Sequence, residues 1–157
     1  MATPITRQFI EDFYRARISC DPERIALFLD DDVEWCIAGP VELMHFCGER
    51  RGKQAVIDAL VRHVPAQLEV VGMEPEEVLV DGERAAALCL LTAKHARTGR
   101  TISYRCAQFL HFRDGRIARF RVLIDSFDAA EQMLGHTIDV STGDEPAGEA
   151  IGNRIAV

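Results

Sequence analysis

Apolar positions recur at helical spacing in the opening stretch, where Phe9, Ile10, Phe13 and Ala16 or Arg17 share one face and predict a helix over Thr6–Ile18. Thr3-Pro4 is a start signal for it, and Cys20-Asp21-Pro22 breaks it. Asp21 can cap a second, shorter helix over Pro22–Phe28 that buries Ile25, Phe28 and Leu29. Asp30-Asp31-Asp32 reads as an exposed acidic junction before a strand over Val33–Ile37; it lacks the alternating spacing of a calcium loop. Ala38–Gly52, with its glycines, Pro40 and mixed polarity, reads as an irregular loop. A third helix follows over Gln54–His63, with Val56, Ile57, Leu60 and Val64 on its apolar face and Pro65 as its stop.

Beyond this helix the period changes to two. Strands are predicted over 66–79, 83–95, 101–113 and 116–125, punctuated by Asp81-Gly82, Thr98-Gly99 and Asp114-Gly115. Asp114-Gly115 favours a two-residue type I′ turn, and counting outward then pairs Phe112 with Ile117, Phe109 with Phe120 and Tyr104 with Asp125. In that register Asp125 shares a face with Tyr104, Cys106, Gln108 and Arg121. The other face carries Arg105, Ala107, Phe109, His111, Phe120 and Val122, and one bulge would swap the assignment midway. Ser126 caps a last helix, FDAAEQML, closed by Gly135.

Early helices, then a meander, then one helix predict an α+β fold: a cone-shaped curved antiparallel sheet roofed by three N-terminal helices and enclosing one pocket. Residues 1–135 form one domain in this reading. Residues 136–157, rich in Gly and acids, form a tail that is mobile or laid over its own or a partner subunit.

Composition narrows the function. The 157 residues are 48% hydrophobic, enough for one domain with a sizeable core. A formal charge of −7 argues against nucleic acid, and the arginines near the hairpin (113, 116, 119 and 121) read as edge-protecting charges. No apolar run approaches the ~20 residues of a membrane helix, and no signal-peptide pattern opens the chain. Five cysteines (20, 36, 47, 89 and 106) without Cys-x-x-Cys spacing read as reduced, mostly buried thiols of a cytoplasmic protein; a catalytic thiol is the alternative. No cluster has metal-ligand spacing and no Gly-rich loop follows a parallel strand, so neither a metal nor another cofactor is expected.

The phrases ALFLDDDVEW, GERRGKQAV and FRDGRIARFRVLID, in this order of elements, resemble the SnoaL-like branch of the nuclear transport factor two-like (ketosteroid isomerase-like) superfamily over about residues 5 to 135. The resemblance implies one pocket at the cone mouth and a homodimer through the outer sheet face. Several chemistries share that fold. The ketosteroid isomerase base would fall near Ile37, its acid at Ala107 or Cys106, and its helix tyrosine nearest Phe13, one residue from Tyr14. The Asp-Arg-Asp set of limonene-epoxide-hydrolase-like enzymes would fall near Cys89, Leu91 and Val122. Neither set is present. A SnoaL-type cyclase needs one Asp on the sheet, which leaves Asp125.

The candidates each carry two readings. Asp125 is an acid/base or a helix cap; Tyr14 is a ligand donor or a rim residue; His45 belongs to a lid loop or to solvent. Trp35 is a pocket wall or core, and His63 a ligand contact or a helix-end charge. Arg105 inside the cone would need a carboxylate or an anionic ligand, and outside it would meet solvent or a dimer partner. With Ile37, Cys89, Ala107, Phe109 and Val122 these make the expected lining. The expected function is a cofactor-free protein with a pocket for a small organic molecule. Its chemistry would be isomerisation, cyclisation or dehydration by proton transfer on an apolar substrate. The alternative is a non-catalytic ligand-binding or dimerisation module.

Overall fold

The computed structural model describes residues 4–141. Thr6 opens helix α1 (Arg7–Ser19) by accepting the Phe9 amide at 3.3 Å, and Cys20 ends it in the left-handed region at φ 51°. Thr3, the expected start, lies outside the described residues. Asp21 caps α2 (Pro22–Ala26) by accepting the amides of Glu23 and Arg24. This helix stops short of Phe28 because strand β1 (Leu29–Ala38) starts at Leu29, earlier than Val33. The acidic triplet therefore sits within β1, at a register shift against the strand at Arg116–Ile124 that falls between Leu29 and Glu34. It is neutralised locally, with Asp30 beside Arg113 at 3.4 Å and Asp31 beside Lys53.

The expected irregular loop contains a short strand, β2 (Gly48–Arg51), paired antiparallel with β1. Next, α3 (Lys53–Asp58), a π-helical turn (Ala59–His63) and α4 (Val64–Gln67) run together. Pro65 does not stop this helix: it stands in the first turn of α4, where a missing N–H is tolerated. Strands β3 (Leu68–Asp81), β4 (Arg84–His95), β5 (Thr101–Arg113) and β6 (Arg116–Ile124) follow, and then α5 (Ser126–Leu134). The cap of α5 is Asp125 rather than Ser126, accepting the Asp128 amide at 3.4 Å. After Gly135 (φ 80°) the chain is tied back once, where the Ile138 amide donates to Glu131 at 2.8 Å. The expectation for the tail falls, from residue 142 onward, outside the described residues.

The strands form one six-stranded sheet in the order β2-β1-β6-β5-β4-β3. Every pairing is antiparallel except β1 with β6, which is parallel and joins the first strand to the last. Asp114 and Gly115 both take positive φ (51° and 75°), as a type I′ turn requires. Phe112 pairs with Ile117 as expected, but Arg119 is the next β6 residue paired, with His111, which leaves Ala118 as a bulge. Phe120 consequently faces Leu110 rather than Phe109, and Ile124 faces Cys106.

That bulge settles which side chains are enclosed. Inward rows run across the sheet as Ala85, Leu110, Phe120 and Trp35, then Ala87, Gln108, Val122 and Ile37, then Cys89, Cys106 and Ile124. Helix α1 covers this face with Ile10, Phe13 and Tyr14. Trp35 stacks on its cross-strand neighbour Phe120 with centroids 4.0 Å apart and planes 15° apart, and Phe13 meets both rings edge-on. Such aromatic geometry adds about 0.5–1.5 kcal/mol per pair beyond the area buried.

Candidate functional site

Between α1, the α3–α4 segment and the concave sheet face lies a hollow of about 20 Å³. Its apolar lining includes Ile37, Phe46, Leu68, Met73, Leu91 and Val122, and its polar lining is Arg17, Tyr104, Cys106 and Gln108. A space this size holds about one water molecule. Arg17, Val64, Leu68, Val70 and Met73 also line a second, open groove of about 430 Å³ that carries Ile18, Leu60 and Pro65. Arg17 thus stands where the groove meets the hollow, and the π-helical turn supplies Leu60 to the groove wall. π turns of this kind recur at functional sites because they push one residue out of helical phase.

Gln108 organises the polar part. It is 1% exposed, and a buried amide needs partners for both ends. Its Oε1 accepts the Tyr14 hydroxyl at 2.9 Å, and its Nε2 donates to the Cys89 and Cys106 sulfurs at 3.2 and 3.5 Å. The two thiols face each other across β4 and β5 with sulfurs 3.2 Å apart. The hydrogen bond from Cys89 pulls the Cys106 thiol down to about 7 against the raising effect of burial, helped by Gln108 and Arg17. The same contact, together with burial, pushes Cys89 far up, so one proton is held by the pair. Burial drives both Tyr14 and Tyr104 well above the ordinary phenol value.

Arg17 is the cation of this interior. Its guanidinium lies over three rings, 5.5 Å from the Trp35 centroid and 5.8 Å from those of Phe13 and Phe120. A cation over an aromatic face gains about 0.5–2 kcal/mol, depending on how dry the site is. Among the described residues its side chain makes no hydrogen bond or ion pair, yet its field lowers the titration of Tyr14, Tyr104, Cys89 and Cys106. Among the described residues the buried indole Nε1 of Trp35 lacks an acceptor, and the Tyr104 hydroxyl, which lines the hollow, makes no hydrogen bond to protein. All three of these groups donate, and the guanidinium and indole cannot accept.

The residues singled out from sequence separate into two sets. Tyr14, Trp35, Ile37, Cys89 and Val122 are buried on the enclosed side, and of these Ile37 and Val122 line the hollow directly. Arg105, Ala107 and Phe109 lie on the outer sheet face, because β5 alternates and its even-numbered residues point inward. Arg105 is occupied there by Glu76 in a two-pronged ion pair at 2.9 Å. Asp125 is exposed and caps α5. His45 is exposed on the 39–47 loop, its amide held by Gln67 at 2.7 Å, and His63 is exposed 3.5 Å from Asp58.

Arg17, Tyr104, Cys106 and Gln108 are polar lining residues that are absent from the candidates drawn from sequence. Arg17 continues the α1 stripe of Ile10, Phe13 and Tyr14 at helical spacing, and Gln108 shares strand parity with Tyr104 and Cys106. Among the described residues no three His, Cys, Asp or Glu side chains converge to hold a metal ion, and no helix is long and apolar enough to cross a membrane.

The sequence profile of the SnoaL-like domain matches residues 10–120. No curated protein matches. Among solved structures, a protein from Rhodopseudomonas palustris named as a candidate isomerase is 31% identical, with 84% of this chain and 100% of that chain covered and a TM-score of 0.76. An NTF2-like protein of unknown function from Burkholderia pseudomallei is 25% identical over 81% of this chain and 93% of its own, with a TM-score of 0.69. A protein of ketosteroid isomerase-like fold from Catenulispora acidiphila, in complex with trimethylamine, shares the fold at 12% identity and a TM-score of 0.68 over 84% of this chain and 95% of its own.

Proposed function

Since the chain belongs to the SnoaL-like domain family of the NTF2-like superfamily, we propose that it binds a small organic molecule in the groove and hollow between α1 and the concave sheet face. The observation that carries this reading is a convergence. Arg17 and the Tyr104 hydroxyl meet, beside Cys106 and Gln108, at a mostly apolar space that shares Arg17, Val64, Leu68, Val70 and Met73 with an open groove of about 430 Å³. Apolar walls with a few convergent polar groups are what small-molecule sites share. The hollow is lined by no carboxylate and no histidine, which favours holding a ligand over turning it over. Native mass spectrometry of the purified protein tests this. A bound small molecule that is lost when Val70 and Met73 are both enlarged to Trp is expected; retention of that molecule would place its site elsewhere.

A second reading, proton transfer, is favoured by Cys106. Its thiol lines the hollow and is held below the ordinary thiol value by the hydrogen bond from Cys89, so it could take and return a proton. Any isomerase, cyclase or dehydratase activity would then follow a rise with pH near 7 and vanish in Cys106→Ala.

The same reading places a second copy of the chain on the outer sheet face. Leu79, Phe109 and Leu123 lie exposed there (70%, 50% and 48%) in a broad apolar depression edged by Arg84, Arg119 and Arg121. A homodimer would cover them. Light scattering at micromolar concentration is expected to give twice the 17.5 kDa chain mass, and Phe109→Glu to give the single mass.

A further inference from the structure

We propose that the ligand is an organic acid, with its carboxylate held by Arg17 and the Tyr104 hydroxyl at the inner end and its apolar body lying in the groove along Ile18, Leu60, Val64 and Met73. This rests on the ligand-binding reading and adds the charge of what is bound.

Three features point to an anion. Arg17 is a permanent cation that is partly buried, covers three aromatic rings and makes no ion pair with a carboxylate among the described residues; the Cys106 thiol, which also lines the hollow, is a competing negative group when ionised. An arginine drawn this far into a domain is ordinarily paired with a carboxylate, and here the carboxylate is missing. The buried Trp35 indole N–H lacks an acceptor among the described residues, and the Tyr104 hydroxyl lines the same hollow as Arg17, so the cluster has donors to offer. The charged neighbour at the groove is Glu69, which is exposed at the outer end and would disfavour an anion lodging there. A molecule with one compact negative group and an apolar tail, entering head first, suits both ends. Arg17 belongs to both spaces, so turning its guanidinium from the rings toward the incoming carboxylate would also merge the small hollow with the groove.

Trp35 is the sole tryptophan and lies under the Arg17 guanidinium, so its fluorescence reports the event directly. The test titrates the full-length protein with benzoate, 3-phenylpropionate and octanoate, each beside its neutral amide, and follows thermal melting in parallel. The expected result is saturable binding of at least one acid, about tenfold or more tighter than its amide. In Arg17→Gln that acid should weaken to the level of its amide, while the amide itself is unchanged. If an amide binds as tightly as its acid, the anion assignment is overturned and the ligand-binding reading stands. If no acid and no amide changes either the fluorescence or the melting temperature, both are overturned. Should Arg17→Gln fail to fold, salt decides with the natural chain. Raising it from about 50 to about 500 mM should weaken the acid severalfold and leave the amide alone, and equal salt response would overturn the assignment.

Discussion

The hydroxyl of Tyr14 on α1 donates to Oε1 of Gln108 on β5 across 2.9 Å, in a place where both side chains are about 1% exposed. This bond fastens the roof to the floor of the cone. Tyr14→Phe leaves the Gln108 carbonyl without its donor and is expected to cost about 1–3 kcal/mol. Tyr104→Phe removes a hydroxyl that has no partner and should cost much less. Urea unfolding of the two variants side by side checks the contrast; equal losses would contradict it.

Stability should fall on the alkaline side in two steps. Burial raises Cys47 from 9.0 to about 11, so the fold favours its neutral thiol. That contribution is full below pH 9 and is lost as pH rises toward 11. Tyr14 and Tyr104 act in the same sense above pH 10, their ordinary value. Cys106 acts in the opposite sense: its value is lowered from 9.0 to about 7, so its contribution grows from pH 7 to 9 and is lost on acidification. Cys89, raised from the same ordinary value, acts in the same sense above pH 9, so melting temperature against pH is expected to fall less steeply between pH 9 and 11 in Cys47→Ala without becoming flat.

Asp125 caps α5 and lies outside the hollow. Asp125→Asn keeps a capping oxygen and should leave both stability and ligand affinity near those of the natural chain. Asp125→Ala removes the cap and is expected to cost about 1 kcal/mol of stability with affinity unchanged. Loss of binding in the Asn variant would bring this carboxylate back into the site.

Arg105 pairs with Glu76 on the solvent side of the sheet. Exposed pairs of this kind contribute little. Arg105→Gln is therefore expected to melt within error of the natural chain and to bind any ligand of the cone equally well, as read by the Trp35 signal.

Deleting Ala118 removes the bulge in β6 and leaves Ile117 and Phe120 inward on either side of an outward Arg119, so the later residues keep their present partners. Circular dichroism is expected to show that the deletion variant retains a cooperative fold, and loss of that fold would contradict the bulged register.

This bulge also explains why part of the site was hidden in the sequence. The order of elements, the Asp114-Gly115 turn and the alternation of β4 and β5 were all readable from local patterning. Strand parity assigned Tyr104, Cys106 and Gln108 to one face correctly as a set. The extra residue at Ala118 has no compositional mark, so nothing local tells which β6 residues join that set, and an unbulged register leaves Arg105, Ala107 and Phe109 on one face with Phe120 and Val122. Arg17 was overlooked for a different reason. A charge at the end of an amphipathic stripe usually reaches solvent along its aliphatic stem, and only the rings of Trp35 and Phe120, distant in sequence, hold this one over the interior.

The parallel seam between β1 and β6 bears on the order in which a nascent chain can fold. Leu29–Ala38 emerges from the ribosome with only the four-residue β2 available beside it, and its main neighbour is completed at Ile124. Helix α1 meanwhile exposes Ile10 and Phe13 with no floor to rest on. Synthesis must therefore run almost to the end of the domain before the central contact closes, so truncations that stop ahead of β6 should accumulate as chaperone clients rather than as smaller stable folds.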